Sequence, residues 1–164
     1  NKDFQNKFPE YHSELLNKGV DVNGKGRNGI PLFINAIVSG KTGIVKLFLQ
    51  HVDIDVNKMY TVNPMHGPPY PVRTALMYAC VYYYVDTVKL LLENGADTRL
   101  KDSAGRTALT IARQGNLVLT HGLAASIAFP VRSTQTEKDQ TIALLMDYER
   151  RQTEARQAGG GGDG

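Results

Sequence analysis

Short segments with apolar residues at helical spacing come in pairs along the chain. The clearest pair has its apolar positions at Leu76, Ala79 and Cys80 in the first segment and at Val88, Leu91 and Leu92 in the second. This spacing predicts two amphipathic helices, with small side chains where they must approach closely. Thr74 is placed to cap the first helix and Gly95 to end the second. Neither helix is long enough to bury its apolar face alone, so the pairs must stack.

The same pattern returns at a fixed period. Thr74 and Thr107 each begin a Thr-Ala-Leu segment, and they lie 33 residues apart. Pro31 begins a similar segment 43 residues before Thr74, and Val45 precedes Val88 by the same 43 residues. Because two separate landmarks give one offset, the chain contains an internal repeat, with about ten residues inserted between its first and second copies.

Residues 74–97 resemble one repeat of the ankyrin family position by position, from the Thr-Ala-Leu start through a leucine triplet to Gly-Ala-Asp. Residues 102–112 (DSAGRTALTIA) open the next repeat in the same way. By this resemblance each unit is a β-turn, a short inner helix, a tight turn and a longer outer helix. It implies an all-α ankyrin-repeat solenoid of about four units, of which the first and last are degenerate. We expect one domain over residues 1–158, with units at about 3–26, 27–69, 70–102 and 103–150, and a disordered glycine-rich tail at 159–164.

Two insertions interrupt the array. The first spans about residues 58–72 and holds four prolines, which exclude a helix or a central strand and predict an extended loop. The second, residues 117–138, adds about 21 residues before an outer helix expected near 139–147 and continuing in the polar residues 148–158. Residues 3–18 are expected to supply the outer helix of the first unit. Insertions on one face of a solenoid are often where it binds.

Composition narrows the class of protein. The net charge is +3 with a pI near 9.0, a slight preference for acidic partners without the basic stripe of a nucleic-acid-binding protein. A single cysteine excludes a disulfide framework, and no apolar run approaches the roughly 18 residues that span a bilayer. We expect a soluble protein without membrane insertion, in the cytoplasm or in a processed secreted or periplasmic form.

Motifs that resemble catalytic sites have simpler interpretations here. Residues 24–29 match G-x-G-x-x-G, but they connect two repeat units and are interpreted as turn glycines. Gly40-Lys41-Thr42 lacks the earlier glycine of a phosphate-binding loop and fits a helix C-cap. Cys80 lies at a buried helical position, which predicts an inert thiol. The four histidines share no metal-ligand spacing, so we predict no catalytic residue, metal or cofactor.

The ankyrin resemblance places partner contacts on the turn tips, the exposed side of the inner helices and the insertions. The candidate residues are Arg27, Asn28, Met65, His66, Tyr70, Arg73, Ser103, Arg106 and Gln114. Arg73 and Arg106 are one period apart, so their side chains are expected to stack along the concave face. Their alternative role is local bonding to the turn backbone or to a neighbouring carboxylate.

A run of three tyrosines, Tyr82, Tyr83 and Tyr84, ends the second inner helix. In the ankyrin family the Tyr83 position is usually glycine, because the chain must turn there. Tyrosines offer a large and rigid contact area, so these three are also candidate partner-binding residues. The alternative, that they pack beneath the insertion at 117–138, is equally open.

These features predict a non-catalytic protein–protein interaction module, monomeric when free, that binds a specific protein partner with an acidic or mixed surface. One alternative is an immunity or inhibitor protein that neutralises a single enzyme or toxin, since two insertions are more than a general scaffold requires. Another is the targeting fragment of a larger multidomain protein.

Overall fold

The computed structural model describes residues 21–26, 29–51, 53–62, 71–114 and 133–159. Six helices form within these ranges. They are α1 (Leu32–Val38), α2 (Thr42–Leu49), α3 (Ala75–Val81), α4 (Val85–Glu93), α5 (Ala108–Gln114) and α6 (Gln135–Gly159). Four predicted features lie wholly or partly outside the described residues. They are the outer helix within residues 3–18, the first insertion at 63–70, the second insertion up to residue 132 and the tail at 160–164.

The helices form two stacked layers. The inner helices α1, α3 and α5 pack against one another in that order, and the outer helices α2, α4 and α6 pack in the same order behind them. Each outer helix also packs on the inner helix of its own repeat. This is the arrangement that the paired apolar stripes require, because each helix covers an apolar face that its neighbour exposes.

Local sequence fixes where the helices begin and end. The Thr74 hydroxyl accepts a hydrogen bond from the Met77 amide at 3.3 Å, so it caps α3 as predicted. Gly40 and Gly95 follow α1 and α4 with φ angles of +65° and +85°. A side chain is disfavoured in this left-handed region, which explains glycine at both positions.

The centre of the core is α3, in which every residue is buried. Cys80 lies there with 0% exposure, and burial raises the pKa of its thiol. The thiolate, the reactive form, is therefore suppressed, in agreement with the predicted inert role. The glycines between residues 24 and 29 form a turn in which the Gly29 amide donates to the Gly26 carbonyl, so they open the first repeat as interpreted.

The first insertion has a defined base. Tyr60 and Arg73 exchange backbone hydrogen bonds of 2.8 and 3.1 Å, which joins the two ends of the loop between them. The equivalent pairing in the third repeat joins Asp102 to Arg106 across a tight turn. The extra residues of the second repeat are therefore accommodated between Tyr60 and Arg73, inside the turn of the repeat.

The last helix is longer than predicted at its start. It begins at Gln135 rather than near Asp139, because Thr134 and Glu137 form a reciprocal capping box. The Thr134 amide donates to the Glu137 carboxylate, and the Glu137 amide donates to the Thr134 hydroxyl. The helix then continues through the polar residues 148–158, as expected. Among the described helices, none combines the length and apolar character needed to cross a bilayer.

Candidate partner-binding surface

The structure describes seven of the twelve predicted contact residues. Arg27, Asn28, Met65, His66 and Tyr70 lie outside the described residues, so their binding role stays a prediction. The described candidates separate into two largely buried groups and one exposed surface. They are Arg73, Ser103, Arg106, Gln114 and the three tyrosines.

The first buried group lies at the turn tip of the third repeat and centres on Asp102. The Asp102 Oδ1 atom accepts the backbone amides of Ala104 and Arg106 at 3.0 and 2.9 Å. Its Oδ2 atom accepts Nε and Nη2 of Arg106 at 3.0 and 2.8 Å. This carboxylate therefore closes the turn and holds the Arg106 guanidinium in a bidentate geometry.

Arg73 approaches the same carboxylate from the second repeat. Its Nε atom is 3.5 Å from Asp102 Oδ2, an ion-pair distance that is too long for a normal N–H···O hydrogen bond. The Arg73 residue is 1% exposed, whereas the Arg106 side chain is 18% exposed. Both arginines therefore interact with a neighbouring carboxylate, which is the alternative role given in the sequence analysis. Arg73 offers almost no surface to a partner.

The charges of this group shift one another's pKa values. Burial raises the pKa of Asp102, but the side-chain and backbone hydrogen bonds from Arg106 outweigh it, and the net pKa lies below the ordinary value. Burial followed by the like charge of Arg106 lowers the pKa of Arg73. The two arginines thus compete for one carboxylate, which stabilises their charged forms.

The tyrosines form the second buried group. Tyr83 has φ +53° and occupies the position of Gly40 in the first repeat, so it adopts the left-handed conformation that the sequence comparison indicated. Its hydroxyl donates to the Ala112 carbonyl of α5 at 3.1 Å. The Tyr84 hydroxyl donates to the Val38 carbonyl of α1 at 3.3 Å. Two successive tyrosines therefore bond to the repeats on opposite sides of their own.

Tyr82 completes this group. Its ring stacks on Tyr84 with centroids 5.6 Å apart and an interplanar angle of 11°. Its carbonyl accepts the Ser133 hydroxyl at 2.9 Å, just before α6 begins. Tyr82 and Tyr83 are 4% and 6% exposed, and Tyr84 is half-buried. In this structure the three residues join repeats, and Tyr84 keeps the largest exposed fraction for a partner.

We expect Tyr83→Phe to lower the free energy of unfolding by about 0.5–1.5 kcal/mol. The substitution removes the bond to the Ala112 carbonyl but keeps the ring and the backbone conformation. Urea unfolding followed by circular dichroism measures the change. Tyr148→Phe is the matched control, because Tyr148 is half-buried and makes no hydrogen bond to any described residue. Equal losses in the two variants would contradict the inter-repeat role of Tyr83.

The exposed surface lies on the third repeat. Ser103 is exposed at the turn tip, although its hydroxyl accepts the Val72 amide at 3.1 Å. Arg113 and Gln114 are exposed at the end of α5, and Arg106 is partly exposed before the helix begins. We name these four residues the third-repeat surface. The sequence analysis missed Arg113, although its position seven residues after Arg106, about two helical turns, could have indicated it.

The side chains of the third-repeat surface are all polar. Among the described residues, no group of three or more histidine, cysteine, aspartate or glutamate side chains could hold a metal ion. The polar groups of the third-repeat surface are two guanidinium groups, an amide and a hydroxyl, which can bind carboxylates and backbone carbonyls through hydrogen bonds.

Comparisons with known proteins agree with this architecture. Residues 68–126 match a family model described as ankyrin repeats in three copies. The chain is 28% identical over 103 residues to alpha-latrotoxin-Lg1a of Latrodectus geometricus, and this match covers 63% of this chain and 7% of that protein. It is 30% identical over 87 residues to the ankyrin repeat protein L371 of Acanthamoeba polyphaga mimivirus, and this match covers 53% of this chain and 10% of that protein.

The chain thus spans a tenth or less of the length of these curated relatives. The matched family model covers the second repeat and the inner helix α5 of the third, and it ends before α6 begins. Residues 68–126 therefore match ankyrin repeats, and the all-α helix-turn-helix solenoid predicted from the sequence is confirmed over the described residues.

Proposed function

We propose that this chain binds one specific protein partner through the third-repeat surface, and that the partner contributes acidic side chains to the contact. Ankyrin repeats are generally protein–protein interaction modules and are typically non-enzymatic. The proposal of an acidic partner depends on the exposure and the uncompensated charge of Arg113. This residue is exposed on an inner helix and has no carboxylate within ion-pair distance among the described residues.

The neighbours of Arg113 support an acidic contact. Its Nη2 atom lies 3.4 Å from the Met146 sulfur, a weak acceptor that leaves the charge uncompensated. Met146 is itself 48% exposed, so an apolar side chain stands beside the cation. Lys101 is exposed near the turn tip and adds a second cation without a described ion pair. Arginine beside an exposed apolar group is the composition of a protein contact surface.

The rigidity of the repeat supports specific rather than loose binding. Arg106 is fixed by the bidentate bond to Asp102, and α5 is fixed to the second repeat by the Tyr83 hydroxyl. The Arg106 side chain therefore loses little additional freedom when a partner binds, so more of its contact energy appears as affinity. Ordered arginine anchors of this kind are enriched among the residues that dominate binding energy.

We expect Arg113→Glu to reduce partner capture at least about ten-fold, because a carboxylate replaces the guanidinium opposite an acidic surface. Tagged wild-type protein and the variant are used to capture proteins from the source cell, and quantitative mass spectrometry compares the eluates. The supporting result is one dominant protein in stoichiometric amount that the variant loses. Purification of that protein then allows its affinity to be measured directly.

Lys89→Glu is the matched control for charge. Lys89 is exposed on α4 in the outer layer, and its substitution changes the net charge by the same amount. Equal capture by the two variants would place the binding surface elsewhere, and weak capture of many proteins by the wild type would contradict a single partner. If the captured protein is an enzyme or a toxin, an assay of its activity with added wild-type chain distinguishes an inhibitor from an adaptor.

A further inference from the structure

The third repeat exposes a face that the second repeat buries. Arg113 lies at the repeat position of Cys80, and Met146 lies at that of Leu92. Cys80 and Leu92 are 0% and 4% exposed, because α5 and α6 pack on α3 and α4. Arg113, by contrast, is exposed, and Met146 is 48% exposed. Among the described helices none follows α6, so this side of α5 and α6 is open.

On α6 the open side forms a stripe of residues that recur every three or four positions, the spacing of one helix face. The stripe consists of Gln135, Asp139, Ile142, Met146 and Arg150. All of these are exposed except Ile142, which is partly buried. We name the stripe together with Arg113 the end face. It carries a carboxylate toward the start of α6 and guanidinium groups toward its middle, with apolar side chains between them.

Two opposite charges of the end face have no ion-pair partner among the described residues. The Arg113 side chain donates to the Met146 sulfur at 3.4 Å, a weak and neutral acceptor. The Asp139 carboxylate accepts the side-chain amide of Gln135 at 2.8 Å, which is also neutral. Asp139 precedes Met146 by seven residues, or about 10 Å along the helix axis. The carboxylate is therefore too far from the Arg113 guanidinium to pair with it inside one chain.

A two-fold axis brings these charges together. Two α6 helices can pack antiparallel about an axis between Ile142 and Ala143, where the small and exposed Ala143 lets them approach closely. Met146 of one copy then lies opposite Asp139 of the second copy. Since the Arg113 guanidinium lies beside Met146, it faces that carboxylate, and the symmetric contact forms at the same time. We propose that the end face joins two copies of this chain in an antiparallel dimer.

The distribution of charge on the end face favours a second copy as its occupant. The acidic and basic groups lie on opposite sides of the axis, so the face is complementary to itself, as an interface between identical copies requires. In the same register the Gln135 amide lies opposite the Arg150 guanidinium, so no like charges meet there. The contact is about one helix wide. We therefore expect a weak dimer that forms between about 10 µM and 1 mM protein.

The dimer shares Arg113 with the third-repeat surface but does not depend on the partner-binding proposal. A bound partner and a second copy compete for this guanidinium. Asp139→Lys separates the two proposals, because Asp139 lies outside the third-repeat surface. We expect this variant to lose the dimer and to keep partner capture, whereas Arg113→Glu loses both. A wild type that dimerises but captures no protein would contradict only the partner-binding proposal.

Sedimentation velocity over this range of protein concentration tests the dimer. We expect Arg113→Glu and Asp139→Lys each to weaken it at least about ten-fold, because each places like charges opposite one another at two symmetric contacts. An equimolar mixture of the two variants is expected to restore the dimer. In the mixed dimer one contact keeps the native Arg113 and Asp139, and in the other contact both signs are reversed, so both contacts are attractive.

Lys89→Glu and Glu93→Lys are the matched controls. Both residues are exposed on α4, and these substitutions change the net charge by the same amounts. Each control variant, and their mixture, is expected to dimerise as the wild type does. A wild type that stays monomeric up to about 1 mM, as expected from the sequence, would overturn the proposal. Normal dimers of the Arg113 or Asp139 variant, or a mixture of the two that stays monomeric, would overturn it as well, since the two residues would then not lie opposite each other.

Discussion

Asp102→Ala is expected to lower the free energy of unfolding by about 3–5 kcal/mol, the usual cost of removing one partner of a buried ion pair. The substitution leaves two guanidinium groups without their shared carboxylate, and one of them, Arg73, is 1% exposed. It also removes the two hydrogen bonds from backbone amides to the Asp102 carboxylate that close the turn of the third repeat. Urea unfolding of the wild type and the variant, with matched slopes, measures the loss.

Asp97→Ala is the matched control for this prediction. Asp97 accepts the Arg99 amide, Nε and Nη2, so it has nearly the same set of bonds as Asp102. The Arg99 side chain is 59% exposed, however, and water replaces the carboxylate when it is removed. We expect a much smaller loss than for Asp102→Ala. Losses of equal size would show that the turn bonds matter and that burial of the arginines does not.

The same carboxylate contributes to acid sensitivity. The folded-state pKa of Asp102 lies below its ordinary value, so the stability it contributes is complete above the unfolded-state pKa of about 3.9. That contribution is lost as the pH falls from this value through the lowered pKa of the folded state. The difference in stability between the wild type and Asp102→Ala is therefore expected to shrink below pH 4, which unfolding at several pH values would reveal.

The sequence predicted the regular part of the fold because its signals are local. Thr74 as a cap, Gly95 after α4 and Cys80 in a buried helical position all follow from spacing within one repeat. The start of α6 was predicted four residues too late, although the Thr-x-x-Glu pattern from Thr134 to Glu137 carries the signal. Apolar periodicity marks the buried part of a helix, and the first turn of α6 is largely exposed.

The candidate site was harder to predict because it depends on contacts between repeats. The period correctly placed Arg73 and Arg106 at equivalent positions, but their burial depends on which repeat supplies the carboxylate. Tyr60 replaces the aspartate of the second repeat, and only the paired backbone of Tyr60 and Arg73 reveals that equivalence across the insertion. The bonds from Tyr83 and Tyr84 to neighbouring repeats likewise span 29 and 46 residues, a range at which spacing gives no signal.

Leu145→Ala is the second substitution with a large expected effect, a loss of about 2–5 kcal/mol in the free energy of unfolding. Leu145 is 0% exposed, and it is the large apolar side chain by which α6 enters the core. Because α6 packs on both α4 and α5, a cavity there weakens the contact of the last outer helix with two repeats at once. Chemical denaturation measures the loss, and amide hydrogen exchange tests whether α6 opens before α3.

Met146→Ala is the control for this prediction, because it separates the loss of stability from core packing from the loss caused by a change in helix propensity. Met146 is the next residue of the same helix and is 48% exposed, so its truncation leaves no cavity. Both substitutions introduce alanine into α6, and their intrinsic effects on the helix are small. We expect the Met146 variant to stay within about 0.5 kcal/mol of the wild type. Equal losses of stability in the two variants would show that Leu145 is not the main contact of α6 with the core. The polar face of α6 would then have to provide the stabilising contacts.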